Sequence, residues 1–241
     1  MVAVLAVALT AAQAQDRAPG LGPFVPPPPP PLTILVAGDS IAHDLGAGLT
    51  RALAPLPQVT VINEGRAISG LVREDFFNWQ TTLPALLDQR PVDAVVISIG
   101  MNDRQGITEG GRVYPRFTPE WEALYQQRAL SLMTAATSRG IPTVWMGMPT
   151  ARNRTFHNDM ARINAVFERA LAQNPDVTYV PMWDLTADAG GNYVATVVDA
   201  AGQARGLRAN DGMHLSVFGV RLVSDAIVAA LSRRLGVSLT P

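Results

Sequence analysis

Thr33-Ile34-Leu35-Val36-Ala37-Gly38-Asp39-Ser40-Ile41-Ala42 is the stretch on which the reading of the whole chain turns. An apolar run that breaks at Gly-Asp-Ser and resumes as Ala- and Leu-rich amphipathic sequence reads as strand, tight turn, helix. Ser40 would then stand at the C-terminal edge of a sheet and at the N-terminus of a helix beginning near Ile41. Unpaired backbone N–H groups and the helix dipole favour developing negative charge there. Those are the surroundings an acyl-transfer nucleophile needs. Asp and Ser are also ordinary helix N-caps, so this piece decides nothing alone.

The chain has 241 residues, 48% hydrophobic and 16% charged, which suits one domain with a sizeable core. Basic and acidic side chains number 19 and 20, for a formal charge of −1, so no global field recruits nucleic acid. All the basic residues are Arg, and the absence of Lys excludes Schiff-base and Lys-activated Ser chemistry. The absence of Cys excludes thiol nucleophiles, Fe–S clusters and disulfides. Val2 to Ala12 form a short run of small and aliphatic residues ending in Ala12-Gln13-Ala14. That pattern predicts a signal peptide over 1–14 and export, although no Lys or Arg precedes the run. Residues 15–31 are rich in Pro and Gly and close with six consecutive prolines from Pro26, a linker composition. The folded domain is expected over 32–241, with no membrane span in the mature chain.

From Leu32 onward, apolar strands alternate with longer helical patterns, the signature of a parallel α/β sheet. Strands are expected at 33–37, 59–63, 94–99, 143–148 and 177–180, and helices at 41–53, 78–88, 119–139, 156–173 and 215–235. The Gly-rich stretch 187–207 reads as a surface hairpin before the last helix.

Candidate chemistry gathers where strands end. The second strand leads into Asn63-Glu64-Gly65-Arg66-Ala67-Ile68-Ser69-Gly70, and the third into Gly100-Met101-Asn102-Asp103-Arg104. In open parallel sheets that edge is where ligands bind. A glycine such as Gly70 lets a backbone N–H approach closely, and Asn102 offers a neutral donor, so both could join the Ser40 N–H around an oxyanion. A general base for Ser40 is His in practice, from His43, His157 or His214. Asn210-Asp211-Gly212-Met213-His214 favours the last, because Asp211 on a Gly-containing turn can fold back and orient its imidazole.

Gly38-Asp39-Ser40, Gly70, Asn102 and Asp211-x-x-His214, in that order, resemble the four blocks of the SGNH/GDSL hydrolase superfamily. Gly70-Leu71-Val72-Arg73-Glu74-Asp75-Phe76-Phe77-Asn78-Trp79 and Asn102-Asp103-Arg104-Gln105 resemble an exported bacterial branch of undefined function, related to cell-envelope O-acetylesterases. The resemblance implies a three-layer α/β/α flavodoxin-like domain with a central five-stranded parallel sheet. It implies Ser40 as nucleophile, His214 as base and then acid, Asp211 as orienting carboxylate, and Ser40, Gly70 and Asn102 as the oxyanion hole. Asp39 is expected to buttress the turn. No cofactor or metal is needed. There is no Gly-x-Ser-x-Gly elbow and no His-Glu-x-x-His, which argues against an α/β-hydrolase and a metal hydrolase.

The expected activity is an exported, periplasmic serine esterase removing a small acyl group, acetyl above all, from an acylated small molecule or glycan. The alternatives are an acyltransferase using the same residues and a non-catalytic carbohydrate-binding domain. Arg73, Arg104 and Arg152, with Arg66 and Arg154, fall beside the expected site and could pair with a substrate carboxylate. They could equally pair with Glu64, Glu74, Asp75 and Asp103. Trp79 and Trp183 could stack on a sugar, whereas Trp145, inside a strand, reads as core.

Overall fold

A computed structural model of the chain describes residues 30–240; the expected signal peptide and all but the last two residues of the expected linker lie outside them. β1 (Leu32–Gly38) leads through Asp39 into α1 (Ser40–Leu53), followed by β2 (Val59–Gly65), α2 (Trp79–Gln89) and β3 (Ala94–Ser98). A hairpin of β4 (Ile107–Glu109) and β5 (Arg112–Tyr114) precedes α3 (Pro119–Thr137), β6 (Thr143–Met146), α4 (Arg154–Leu171) and β7 (Val177–Val180). The chain closes with α5 (Met182–Thr186), a hairpin of β8 (Thr196–Val198) and β9 (Ala204–Gly206), and α6 (Val217–Leu235).

The central sheet has five parallel strands in the order β2-β1-β3-β6-β7, which is the flavodoxin-like order. Helices α1 and α6 pack together, and α3 packs against both α2 and α4, giving three layers. Residues 34–37 of β1 and 94–97 of β3 are buried on both faces, which is why these strands read as unbroken apolar runs. Trp145 of β6 lies in the core, edge-on to Phe167 with 5.0 Å between ring centroids. The helices begin where Asn78, Thr118, Asn153 and Ser216 accept a backbone N–H through their side chains. These caps move the starts of α2, α4 and α6 one or two residues from the periodicity-based expectation.

Two elements went unread in the sequence. The β4–β5 hairpin turns on Gly110 and Gly111, both at positive φ (57° and 78°), as a two-residue hairpin requires. Helix α5 has five residues, too few to display a period. The expected hairpin within 187–207 is present as β8–β9.

The turn between β1 and α1 is built by what surrounds it. Gly38 has φ 136°, and a Cβ there would collide with the Ser98 carbonyl oxygen. Asp39 is wholly buried. Its Oδ1 accepts from the Ile41 N–H (2.9 Å), capping α1, and its Oδ2 accepts from the N–H groups of Gly100 (3.0 Å) and Met101 (2.9 Å). One carboxylate thus ties the Ser40 turn to the loop after β3. Burial pushes its carboxyl up to about 7 against the lowering effect of the three N–H bonds, and the nearby Asp103 adds to the rise.

With the folded-state value above the ordinary 3.8, the folded chain keeps a proton that the unfolded chain has released, so this stability is whole at low pH. It is lost as pH rises through about 7, a change of at most about 4 kcal/mol. Melting profiles of wild type and Asp39→Asn should therefore differ in slope, wild type declining more steeply between about pH 4 and 7; parallel profiles would contradict the assignment.

Candidate active site

The Ser40 hydroxyl, on the first residue of α1, lies 2.9 Å from His214 Nε2. His214 Nδ1 lies 2.6 Å from Asp211 Oδ2. An ionised carboxylate can only accept, so Nδ1 carries the proton and Nε2 is left to receive the hydroxyl hydrogen. Asp211 is held for this work by its own turn, its Oδ1 accepting from the N–H groups of Met213 (2.8 Å) and His214 (3.0 Å). Burial acts to raise its carboxyl, but these N–H bonds and the bond from the imidazole outweigh it and keep Asp211 below its usual value, and so ionised. Gly212, at φ 73°, closes the turn and packs against the Arg152 side chain.

Three loops meet at the serine. The Arg66 N–H donates to the Gly38 carbonyl (2.7 Å), bringing the loop after β2 beside the Ser40 turn. Asn102 donates its Nδ2 to the Ser69 carbonyl (2.8 Å), which fixes the amide and leaves its second hydrogen free of partners among the described residues. The N–H of Gly70 also has no acceptor among them. The Ser40 N–H, at the head of α1, has no intrahelical acceptor. Three donors of the kind an oxyanion requires are therefore carried on segments bonded to one another.

Asp103 explains why Gly70 stands where it does. Wholly buried, it accepts from Leu71 N–H (2.9 Å), Val72 N–H (3.1 Å) and the Tyr125 hydroxyl (2.8 Å). Its Oδ1 fills the space a side chain at 70 would need. Burial raises the Asp103 carboxyl, while these bonds and the charge of Arg128 lower it in part. Arg128 is itself buried, donates to the Leu71 carbonyl (2.7 Å) and lies 3.3 Å from Glu74. Sequence reasoning assigned Asp103 only as a possible partner for surface arginines and missed Tyr125 and Arg128 altogether. No local pattern marks such residues, because the backbone they hold comes from other parts of the chain.

Arg208 was missed for the same reason. It is buried, donates to the carbonyls of Thr150 and Met213, and lies under the Tyr193 ring at 5.3 Å. By gripping Met213 it steadies the turn that carries Asp211 and His214. Burial pushes its guanidinium down to about 10, with Tyr193 and Asp211 opposing.

The remaining candidates are dispersed. Arg73 is paired through two 2.7 Å bonds with Asp75, as one sequence reading allowed. Arg104 is paired instead with Asp159 (2.7 Å), its guanidinium over the Phe156 ring. Arg152 donates to the Asn210 carbonyl (2.7 Å), beside the His214 turn. Arg66 lies over Phe77, and Arg154 is exposed. His43 is exposed on α1, and His157 packs against Trp183 at 4.4 Å; neither contacts Ser40. Trp79 is buried, donating to the Ser69 hydroxyl (2.9 Å), so it supports the Gly70 loop from beneath.

Comparison with solved structures places this architecture among known folds. A GDSL-like lipase from Bacteroides thetaiotaomicron superposes with a TM-score of 0.56 at 15% identity, over 83% of this chain and 88% of its own. An acetyl xylan esterase gives 0.56 at 17%, over 83% and 98%. The C-terminal catalytic domain of Streptococcus pneumoniae peptidoglycan O-acetyltransferase A, solved with a methylsulfonyl adduct, gives 0.55 at 15%, over 86% and 96%. At such identities the likeness is one of fold. No curated protein sequence matches the chain. The profile of a family described as "Protein of unknown function (DUF459)" matches residues 33–230, and the chain belongs to that family.

Proposed function

We propose that the protein is a serine esterase that releases a small acyl group, acetyl in the first instance, from an envelope carbohydrate through an acyl-Ser40 intermediate. The observation that carries the reading is the continuous chain Ser40–His214–Asp211, with distances of 2.9 and 2.6 Å, beside free donors on the Gly70 and Asn102 loops. His214 takes the hydroxyl proton on Nε2 as Ser40 Oγ bonds to the ester carbon. The carbonyl oxygen becomes an oxyanion facing the N–H groups of Ser40 and Gly70 and the Asn102 amide. Collapse breaks the bond to the alcohol oxygen, which leaves with the proton from His214. Water then repeats both steps and restores Ser40 with release of the acid. Asp211 keeps the imidazole in the tautomer that makes the first transfer possible.

A small acyl group is favoured because, among the described residues, no long apolar segment forms a lid beside Ser40. Carbohydrate is supported by the substrates in the names of two structural neighbours, an acetyl xylan esterase and a peptidoglycan O-acetyltransferase. The second of these also favours transfer to a glycan hydroxyl as the alternative to hydrolysis. The same residues serve either outcome, and product analysis with a sugar acceptor separates them. Export, with action in the periplasm, is proposed from the apolar run 2–12 and Ala12-Gln13-Ala14. Among the described residues no helix is long and apolar enough to cross a membrane.

A fluorophosphonate should modify Ser40 and no other serine, because only Ser40 has a base within reach and donors for the phosphoryl oxygen; peptide mapping that finds the adduct on Ser69 or Ser216, or finds none, overturns the proposal. Asn102→Ala should lower kcat on an activated acetyl ester by about 10²–10³ while changing KM little, since its amide serves the charge that develops in the transition state. A rise in KM with kcat intact would make Asn102 a ground-state binding residue and place the oxyanion elsewhere.

A further inference from the structure

Beyond the end of β6, residues 151–158 form one wall of a cavity of about 430 Å³, and Asn192 and Tyr193 form the other. Its size lies within the usual range for small-ligand sites. The cavity borders the His214 turn directly. The Arg152 N–H donates to the Gly212 carbonyl (2.9 Å), and the Arg152 guanidinium to that of Asn210 (2.7 Å). This position matters chemically, because the departing alcohol oxygen takes its proton from His214. The alcohol half of an ester must therefore rest on the His214 side of Ser40.

The charge of the cavity is one-sided. No carboxylate lines it, whereas the guanidiniums of Arg152 and Arg154 do; His157 beside them is held toward its neutral form by burial and the charge of Arg154. Arg154 forms no ion pair among the described residues, and Arg152 spends its charge on a carbonyl. Behind Tyr193 lies Arg208, a buried guanidinium bonded only to carbonyls, with its Nε and Nη1 unpartnered. Acidic groups nearby are already committed. Asp159 is held by Arg104 and Arg116, Asp188 by the N–H groups of Gly190 and Asn192, and Asp211 by its own turn and His214. The first turn of α4, an 18-residue helix, adds its positive dipole end on the same side.

We infer that this cavity is the alcohol-side subsite and takes a sugar unit bearing a carboxylate, which Arg154 and Arg152 pair with while Tyr193 flanks the ring. The placement of the alcohol half rests on the esterase reading; the selectivity for a carboxylate rests on the cavity's own charge. Guanidinium–carboxylate pairing is geometrically specific as well as strong, so an acidic glycan is distinguished from a neutral one of the same shape.

The test reads binding alone. Full-length protein carrying Ser40→Ala is titrated calorimetrically with a uronic acid trisaccharide and with its carboxyl-reduced, neutral counterpart. The acidic sugar should bind about tenfold more tightly or better, and added salt should weaken it alone. Arg154→Gln in the same background should erase most of that difference. Arg154 is exposed and unpaired, so the fold should keep its melting temperature. Equal binding of the two sugars, or acid selectivity indifferent to Arg154→Gln, would overturn the inference. Fluorophosphonate labelling of Ser40 without acid selectivity would remove the subsite and leave the esterase. Acid selectivity with Ser40 unlabelled would keep the carboxylate site and remove its place in an ester reaction.

Discussion

Two buried carboxylates hold the strand-end loops in register, and the rest of the site depends on them. Asp39 fastens the Ser40 turn to Gly100 and Met101, and Asp103, three residues further along the same loop, fastens it to Leu71 and Val72. Taking a carboxylate out of water is costly unless donors replace the solvent, and each of these has three. The same bonds that make their burial tolerable fix the spacing of Ser40, Gly70 and Asn102. An oxyanion site is effective only if its donors are positioned before charge develops, because reorganising them during the reaction would consume the stabilisation they provide. Rigidity at this edge of the sheet is thus a requirement of the chemistry proposed for it.

The His214 turn is secured by different means. Asp211, exposed enough to stay ionised, orders both its own backbone and the imidazole, and the buried Arg208 grips the turn through the Met213 carbonyl. The two supports therefore differ in kind: buried carboxylates, with Arg128 beside Asp103, hold the loops of Ser40, Gly70 and Asn102, and a buried guanidinium holds the turn of Asp211 and His214.

What could be read from sequence follows from where each constraint acts. β1 and β3 were legible because burial on both faces demands an unbroken apolar run; Ser40, Asn102, Asp211 and His214 were singled out from their strand-end loops and the four-block resemblance, and the structure joins Ser40, His214 and Asp211 in one hydrogen-bonded line, whose part in acyl transfer is the proposal made above. Trp145 was recognised as core from its place in a strand. Asp103, Tyr125, Arg128 and Arg208 were not legible as supports, since each is chosen by backbone atoms remote in the chain. Trp79, considered for sugar stacking, is buried under the Gly70 loop, a distinction that composition alone does not draw. The β4–β5 hairpin is different: Glu109-Gly110-Gly111-Arg112 between β-forming residues carries a recognised turn signal, and its reading was available.

The central claim is that Ser40 itself takes and passes on the acyl group. The most direct measurement is mass spectrometry of protein quenched during turnover of an activated acetyl ester, followed by peptide mapping. The account predicts one acetyl group per chain, on the peptide containing Ser40, absent in Ser40→Ala and formed far more slowly in His214→Ala, which lacks the base for acylation. Turnover without any acylated serine, or an acetyl group carried on another residue, would contradict it.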